Sequence, residues 1–299
     1  MPKTITNADR GTPRVAVIMR SFNEVHVIRE TLTALQQQDF PNFELWNFDS
    51  GSTDGTFEII QQHNVAERIL QNDSEAYNPG RVLNDAVQRV DADILVFLNA
   101  DATPTDRNWL AKLIRPLQDS QVGAVYGRQV ARSDCRSLFV KDTERAFGSG
   151  EESSGWVHFF SMANSAARRE VLQQFPFETR IQYSEDIEWS YRLKKSGYAV
   201  TYVRGAAAIH SHNYTLRQSY RRHFGEGKAD AWIFRNGEVA PTWWRYWFLP
   251  FGMEVLRDLK WSLQQGSLDA LLHSVPLRFV QKWARWRGVR QGVVEYGVA

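Results

Sequence analysis

"DILVFLNADATP", residues 93–104, runs five apolar residues, Ile94 to Leu98, straight into Asn99, Ala100 and Asp101 before Pro104 stops the run. A short, continuous apolar run bounded by turn residues is how a strand buried on both faces reads. This one ends by delivering a carboxylate to a turn. A strand end is a rigid mount, and a hard cation such as Mg2+ or Mn2+ takes oxygen ligands and shares its shell with substrate phosphates. The competing reading makes Asp101 a turn residue ahead of the helix "DRNWLAKLI".

Working outward, "VAVIMR" (15–20) is a second buried strand, and in the helix after it Val27, Ile28, Thr31, Leu32 and Leu35 share one face. "FELWNF" (43–48) is a strand closed by "DSGSTDGT" and the helical "FEIIQQH"; "RIL" is a short strand; "VGAVYGRQV" (122–130) is strand-like. The βαβαβα rhythm predicts an α/β fold, a Rossmann-like open, mostly parallel sheet with helices on both faces. Ligands then bind at the carboxyl ends of the strands, where Ser21 to Glu24, Asp49 to Gly55 and Asn99 to Asp101 fall. Neither GxGxxG nor GxxxxGK[ST] occurs, which removes the dinucleotide and ATP-loop readings.

"YSEDIEWSYRLKKSGY" (183–198) starts a helix at Ser184 with Glu185 and Asp186 in the first turn, where the dipole favours acids. One of the two is a candidate general base. "AAAIHSHNYT" sets His210 and His212 two apart, on one face if the segment is extended, and either could join Asp101 on a metal.

With 43% hydrophobic and 23% charged residues the 299-residue chain is globular. The single cysteine, Cys135, excludes an internal disulfide framework and fits a reducing compartment. Residues 1–12 lack a signal-peptide core, and no run of 18 uncharged apolar residues predicts a membrane span. Residues 216–299 carry 13 Lys and Arg against 7 Asp and Glu, +6, and the first 215 carry 23 against 27, −4; 7 of the 11 tryptophans follow residue 215. The charge shift predicts two regions, 1–215 and a basic, Trp-rich helical 216–299. In "PLRFVQKWARWR" (276–287), Phe279, Val280, Trp283 and Trp286 share one side and Arg278, Lys282 and Arg285 another. That pattern suits an anionic membrane surface, and equally packing on the first region or on a second copy. The tail carries no nucleic-acid recognition motif.

In order, "VAVIMRSFNE", "FDSGSTDGT", "FLNADATP", "SMANSAARREV", "SEDIEWSYRLKKSGY" and the histidines resemble glycosyltransferase family 2, inverting and metal-dependent enzymes of the GT-A fold. The resemblance implies that Arg20, Phe22, Asn23 and Glu24 line a nucleotide and that Asp49 accepts from its base. It sets Arg81 near the nucleotide or its phosphates, Asp101 on the metal with His210 or His212, and Asp186 as base with Glu185 beside it. Asn99 stands where the family has the first Asp of DxD, which implies a ribose or water-mediated contact. Arg221 and Arg222, in "QSYRR", resemble the phosphate side of QxxRW without its Trp, as in an enzyme adding one sugar rather than a polymer. "GSGEESSG" (148–155) resembles a mobile loop at an acceptor site. The resemblance is nearest to bacterial rhamnosyltransferases of O-antigen and capsule synthesis. It implies a nucleoside-diphosphate-sugar donor, a glycan or lipid-linked saccharide acceptor, a divalent metal and a cytoplasmic protein at the membrane's inner face. The alternatives are a sugar-nucleotide-binding protein with little catalysis and a nucleotidyltransferase.

Overall fold

The computed structural model describes residues 13–64, 67–70, 77–150, 159–235 and 242–298. Its strands are β1 (Val15–Ser21), β2 (Phe43–Asp49), β3 (Glu67–Leu70), β4 (Ile94–Asn99), β5 (Thr103–Pro104), β6 (Val122–Val130), β7 (Asn164–Arg168) and β8 (Ala199–Ile209). They form one mixed sheet in the order β3-β2-β1-β4-β7-β6-β8-β5. β1, β2, β3 and β4 pair in parallel, as do β6 and β8; β7 runs antiparallel to β4 and β6, and β5 to β8.

The helices are α1 (Ile28–Gln36), α2 (Thr56–Gln61), α3 (Pro79–Arg89), α4 (Trp109–Ile114), α5 (Ser137–Phe147), α6 (Arg169–Gln174) and α7 (Glu185–Lys195), followed by α8 (Leu216–Ile233), α9 (Leu249–Gln265) and α10 (Leu268–Tyr296). Alternate residues of the central strands feed opposite cores. Val17, Met19, Val96 and Leu98 meet α1, α2 and α4 on one face. Ile18, Leu95 and Phe97 meet α3, α6 and α7 on the other. Both faces being covered is why β1 and β4 read as unbroken apolar runs.

The carboxyl ends of β1, β2 and β4 lie side by side, with Arg20 opposite both Phe48 and Asn99. β7 clamps the other edge of β4. The two-residue ladder of β5 on β8, Thr103 opposite Ile209, brings the turn after β4 against the end of β8.

Downstream, α8 and α10 lie so close that a methyl group on Gly227 would strike the Arg285 carbonyl, and one on Gly288 the Phe224 carbonyl. A π turn, Trp244–Phe248, leads into α9. Pro250, without an N–H, accounts for the widened turn there. Gly266, at φ 64°, reverses the chain into α10.

The basic side of residues 276–287 is not a surface. Arg278 is buried and holds Asp142 of α5 and Asp258 of α9 in bidentate pairs at 2.7–3.0 Å. Arg285 pairs with Asp230 at 2.7 Å, and Lys282 is pushed down to about 8, first by burial. The helical spacing is as the sequence predicts, but buried acids turn the cations inward, away from any lipid.

Candidate active site

Asp101 sits in a tight turn closed by the Ala102 N–H on the Asn99 carbonyl at 2.9 Å, and Arg132 donates to the Asp101 carbonyl at 2.6 Å. Its carboxylate is almost buried. Both imidazoles reach it: His210 Nε2 lies 3.5 Å and His212 Nε2 3.6 Å from Asp101 Oδ2. The helix α4 begins beyond Asn108, so Asp101 does not cap it.

The orientation of His210 is held from behind. Gln129 donates through Nε2 to Ser161 Oγ at 2.8 Å, which turns its Oε1 to His210 Nδ1 at 2.7 Å. An oxygen there requires the proton on Nδ1 and leaves Nε2 a bare lone pair. That Nε2 is buried with no hydrogen-bond partner. Burial pushes the imidazole below its ordinary range. His212 is pushed down to about 4 by burial and then by His210. Two neutral imidazoles and one carboxylate, with ligand atoms within 4.8 Å of one another, fit a divalent cation, since imidazole binds metal only when unprotonated. Gln129 and Arg132 escaped the sequence reading; a lone amide near the end of an apolar strand was the available signal for the first.

Asp186 and Glu185 start α7 as expected, but Ser184 precedes them in the left-handed region, φ 60°, without a side-chain cap bond. The carboxylate of Asp186 accepts from the Ile187 N–H at 2.8 Å and the Met162 N–H at 3.2 Å. It is nonetheless pushed up to about 7, first by burial and then by the Glu185 charge. Glu185 is separately engaged, 3.4 Å from Arg20, which also donates to Asn99 Oδ1 at 3.1 Å.

Two hollows meet here. One of about 390 Å³ is lined by Arg20, Ser21, Phe22, Glu24, Asn99 and Asp101. The other, of about 820 Å³, holds Glu185, Asp186, His210, Met162, Tyr214 and Arg222. Arg20, Tyr77, Asn99 and His212 line both. Glu24 is pushed up to about 8 by burial and then by the Asp101 carboxylate. From α8, Arg222 reaches Tyr214 OH at 2.5 Å and Glu226 at 2.8 Å, and Tyr214 stacks on His212.

Other predicted residues stand elsewhere. Asp49 is buried and its two oxygens accept from the Gly51 and Ser52 N–H groups and the Ser21 and Ser52 hydroxyls, at 2.6–3.0 Å. Those four donors fill a carboxylate's lone-pair sites, so Asp49 holds its turn rather than presenting a bare acceptor. Asn23, at φ 57°, ties to Ser52 and Thr53 and fixes the rim below Phe22. Arg81, in the first turn of α3, and Arg221, on α8, are exposed and line neither hollow. Of the loop 148–155, residues 151–155 lie outside the described residues.

The pattern of glycosyl transferase family 2 matches residues 16–175, more than half the chain. The chain belongs to glycosyl transferase family 2. It is a glycosyltransferase, and its mixed sheet with helices on both faces is the GT-A arrangement, followed by a C-terminal helical region. It is 30% identical over 240 residues to the O-antigen chain rhamnosyltransferase RfbN of Salmonella typhimurium strain LT2, 75% of each chain being covered. It is 31% identical to the O-antigen chain rhamnosyltransferase WbaN of Salmonella anatum, over 69% of this chain and 70% of that one. Among solved structures, the mannosyltransferase PcManGT from Pyrobaculum calidifontis, in complex with GDP-Man and Mn2+, superposes with a TM-score of 0.66 at 23% identity, covering 95% of this chain and 88% of that one. Glucosyl-3-phosphoglycerate synthase from Mycobacterium tuberculosis, with Mn2+, UDP and phosphoglyceric acid, gives 0.57 at 19%, covering 76% and 80%. At these identities the structural likenesses speak to the fold alone.

Proposed function

We propose that this family 2 enzyme transfers a single sugar, with inversion, from a nucleoside-diphosphate-sugar to a hydroxyl of a glycan or lipid-linked saccharide in the synthesis of a cell-surface polysaccharide. The observation carrying the reading is that Asp186, His210 and His212 line one hollow while Asp101, 3.5 and 3.6 Å from the two imidazoles, lines the adjoining one. The names of RfbN and WbaN support O-antigen assembly and a rhamnosyl donor such as dTDP-rhamnose. The donor's nucleotide is assigned to the smaller hollow, under Phe22, Asn23 and Glu24. Residues 1–215 would bind donor and perform chemistry, with 216–299 completing the wall through Arg222. The work would lie at the inner face of the cytoplasmic membrane; among the described residues no helix is long and apolar enough to cross it.

Asp186 is assigned as the base. A carboxyl that titrates near 7 can accept a proton at working pH. It would take the proton of the acceptor hydroxyl as that oxygen's lone pair forms the bond to the anomeric carbon. The bond to the diphosphate oxygen breaks on the opposite side, its electron pair leaving with the diphosphate. Glu185 holds Arg20, and Arg20 holds Asn99 toward the donor. Arg222 is assigned to the diphosphate. A divalent cation, held by Asp101 and by His210 and His212, would supply charge to offset that of the leaving group.

The test incubates purified protein with dTDP-rhamnose, a UDP-sugar and GDP-mannose, each with a lipid-linked saccharide acceptor and Mn2+. Transfer from one donor, lost in Asp186→Asn, is expected. Full activity of that variant would remove Asp186 as base, and pyrophosphate release from a nucleoside triphosphate would indicate a nucleotidyltransferase.

A further inference from the structure

The hairpin of α9 and α10 is inside out. Its inner side buries Glu254, Asp258 and Ser262 from α9 and Ser274, Arg278 and Gln281 from α10. Asp258 alone receives Lys141 at 2.5 Å, Ser274 at 2.7 Å and Arg278 at 2.7 Å. Its outer side is leucine. Leu256, Leu263, Leu268 and Leu272 are 66%, 71%, 73% and 73% exposed. The spacing along each helix, Met253, Leu256 and Leu263, then Leu268, Leu272 and Val275, makes one stripe that passes around the Gly266 turn. Trp243, Trp244 and Phe248 continue it at the open end. A helix pair in water places its apolar side inward; this pair is ordered for an apolar medium outside.

We propose that this face seats the enzyme on an anionic lipid bilayer, with α9 and α10 lying in the plane of the interface. Neither helix meets the length and apolarity of a membrane span, so the hairpin lies on the bilayer rather than through it. The charges on the outer side agree. Arg245 and Lys260 are exposed among the leucines, where long stems can lift their charges to headgroup phosphates, while Arg257 is held by Glu254 at 2.8 Å. The only exposed acid between residues 242 and 279, Asp269, is paired with His273 at 3.0 Å. Two tryptophans beside the stripe suit the interfacial layer. A second copy of the chain is a poorer occupant. A two-fold contact on this face would bring Arg245 and Lys260 against the other copy's cations with Asp269 as the one exposed acid between residues 242 and 279 to meet them.

The face is coupled to the cleft. Arg278, one residue before the outward-facing Phe279, grips Asp142, and Asp142 lines the larger hollow. The hollow is thereby held at a set height over the bilayer, where a lipid-linked saccharide would be offered. Lipid binding itself is independent of the donor and acceptor assignments, because it is measured with neither.

The test is sedimentation of the full chain with vesicles of phosphatidylcholine mixed with phosphatidylglycerol, and with phosphatidylcholine alone. The wild type should pellet with the anionic vesicles and keep part of its binding in high salt. Leu256→Glu combined with Leu263→Glu and Leu272→Glu should weaken partitioning by about a hundredfold, as expected for withdrawing three half-inserted leucines. Circular dichroism checks that the triple variant is folded. Brominated lipid should quench wild-type tryptophan emission whatever the fate of the variant. Wild-type protein left in the supernatant, absence of quenching, or equal pelleting of the folded triple variant would overturn the proposal. So would a wild-type dimer, seen by ultracentrifugation, that the triple variant dissolves without any vesicle binding.

Discussion

Replacing Asp186 by asparagine is expected to abolish transfer and, in alkaline buffer, to make the protein more stable. The wild-type carboxyl is raised from 3.8 to about 7, by burial first and the Glu185 charge second. The folded chain therefore holds this proton more tightly than the unfolded chain does. The sign follows: its contribution to stability is present in acid and is lost as pH rises from about 4 through about 7. At 1.36 kcal/mol per pH unit the wild type has lost about 4 kcal/mol from this group by pH 8, and about 2 kcal/mol at pH 5. Asparagine carries no charge to lose. Its one oxygen can serve only one of the two N–H groups, Met162 or Ile187, that the carboxylate now serves. Orphaning the other costs about 1.5 kcal/mol. The variant should then match the wild type near pH 5 and exceed it by about 2–3 kcal/mol near pH 8.

Urea unfolding of both proteins in metal-free buffer at the two pH values reads this difference directly. A stability difference identical at both would show that Asp186 is ionised normally and that burial does not tune it. The transfer assay should show the wild-type rate rising with pH through about 7.

Three further outcomes are expected. Gln129→Leu frees the His210 tautomer and should weaken Mn2+ binding by about 10–100-fold, read by calorimetry; unchanged affinity would remove Gln129 as the orienting residue. Asp258→Ala strands Lys141 and Arg278 in a buried network and should cost about 3–5 kcal/mol in chemical denaturation, whereas a loss below 1 kcal/mol would mean that water replaces the carboxylate. Gly288→Ala presses a methyl group onto the Phe224 carbonyl and should cost about 1–3 kcal/mol, and a neutral result would show that α8 and α10 can move apart.

The half of the sheet that carries β1, β2 and β4 is legible because each strand is covered on both faces, so burial writes itself as an unbroken apolar run. β7 and β8 leave no such mark. β7 is "NSAAR", small and polar, and β8 is only partly buried, so its eleven residues do not alternate. β5, two residues long, is below any periodicity, yet it is the contact that sets Asp101 beside His210. The histidine spacing was readable; that both reach one carboxylate depends on that ladder. The same limit applies to Asp49, whose motif is visible while the four donors saturating it come from the folded turn.

The polarity of the C-terminal helices was the least readable feature, and its reason is physical. A helix with cations on one side and aromatic residues on the other is consistent with either side facing in. What decides is whether acids elsewhere can pair the cations, and Asp142 lies 136 residues from Arg278. Once those pairs form, the apolar side is left outside. Removing the chain beyond about residue 240 would therefore do more than delete a lipid contact. It would leave Lys141 and Asp142 of α5 without their charge partners and uncover Leu138, which packs on Ala270 and Leu277. A truncated protein that failed to bind vesicles would report a damaged cleft wall as readily as a lost membrane face. Surface leucine substitutions, which leave the inner network intact, separate the two.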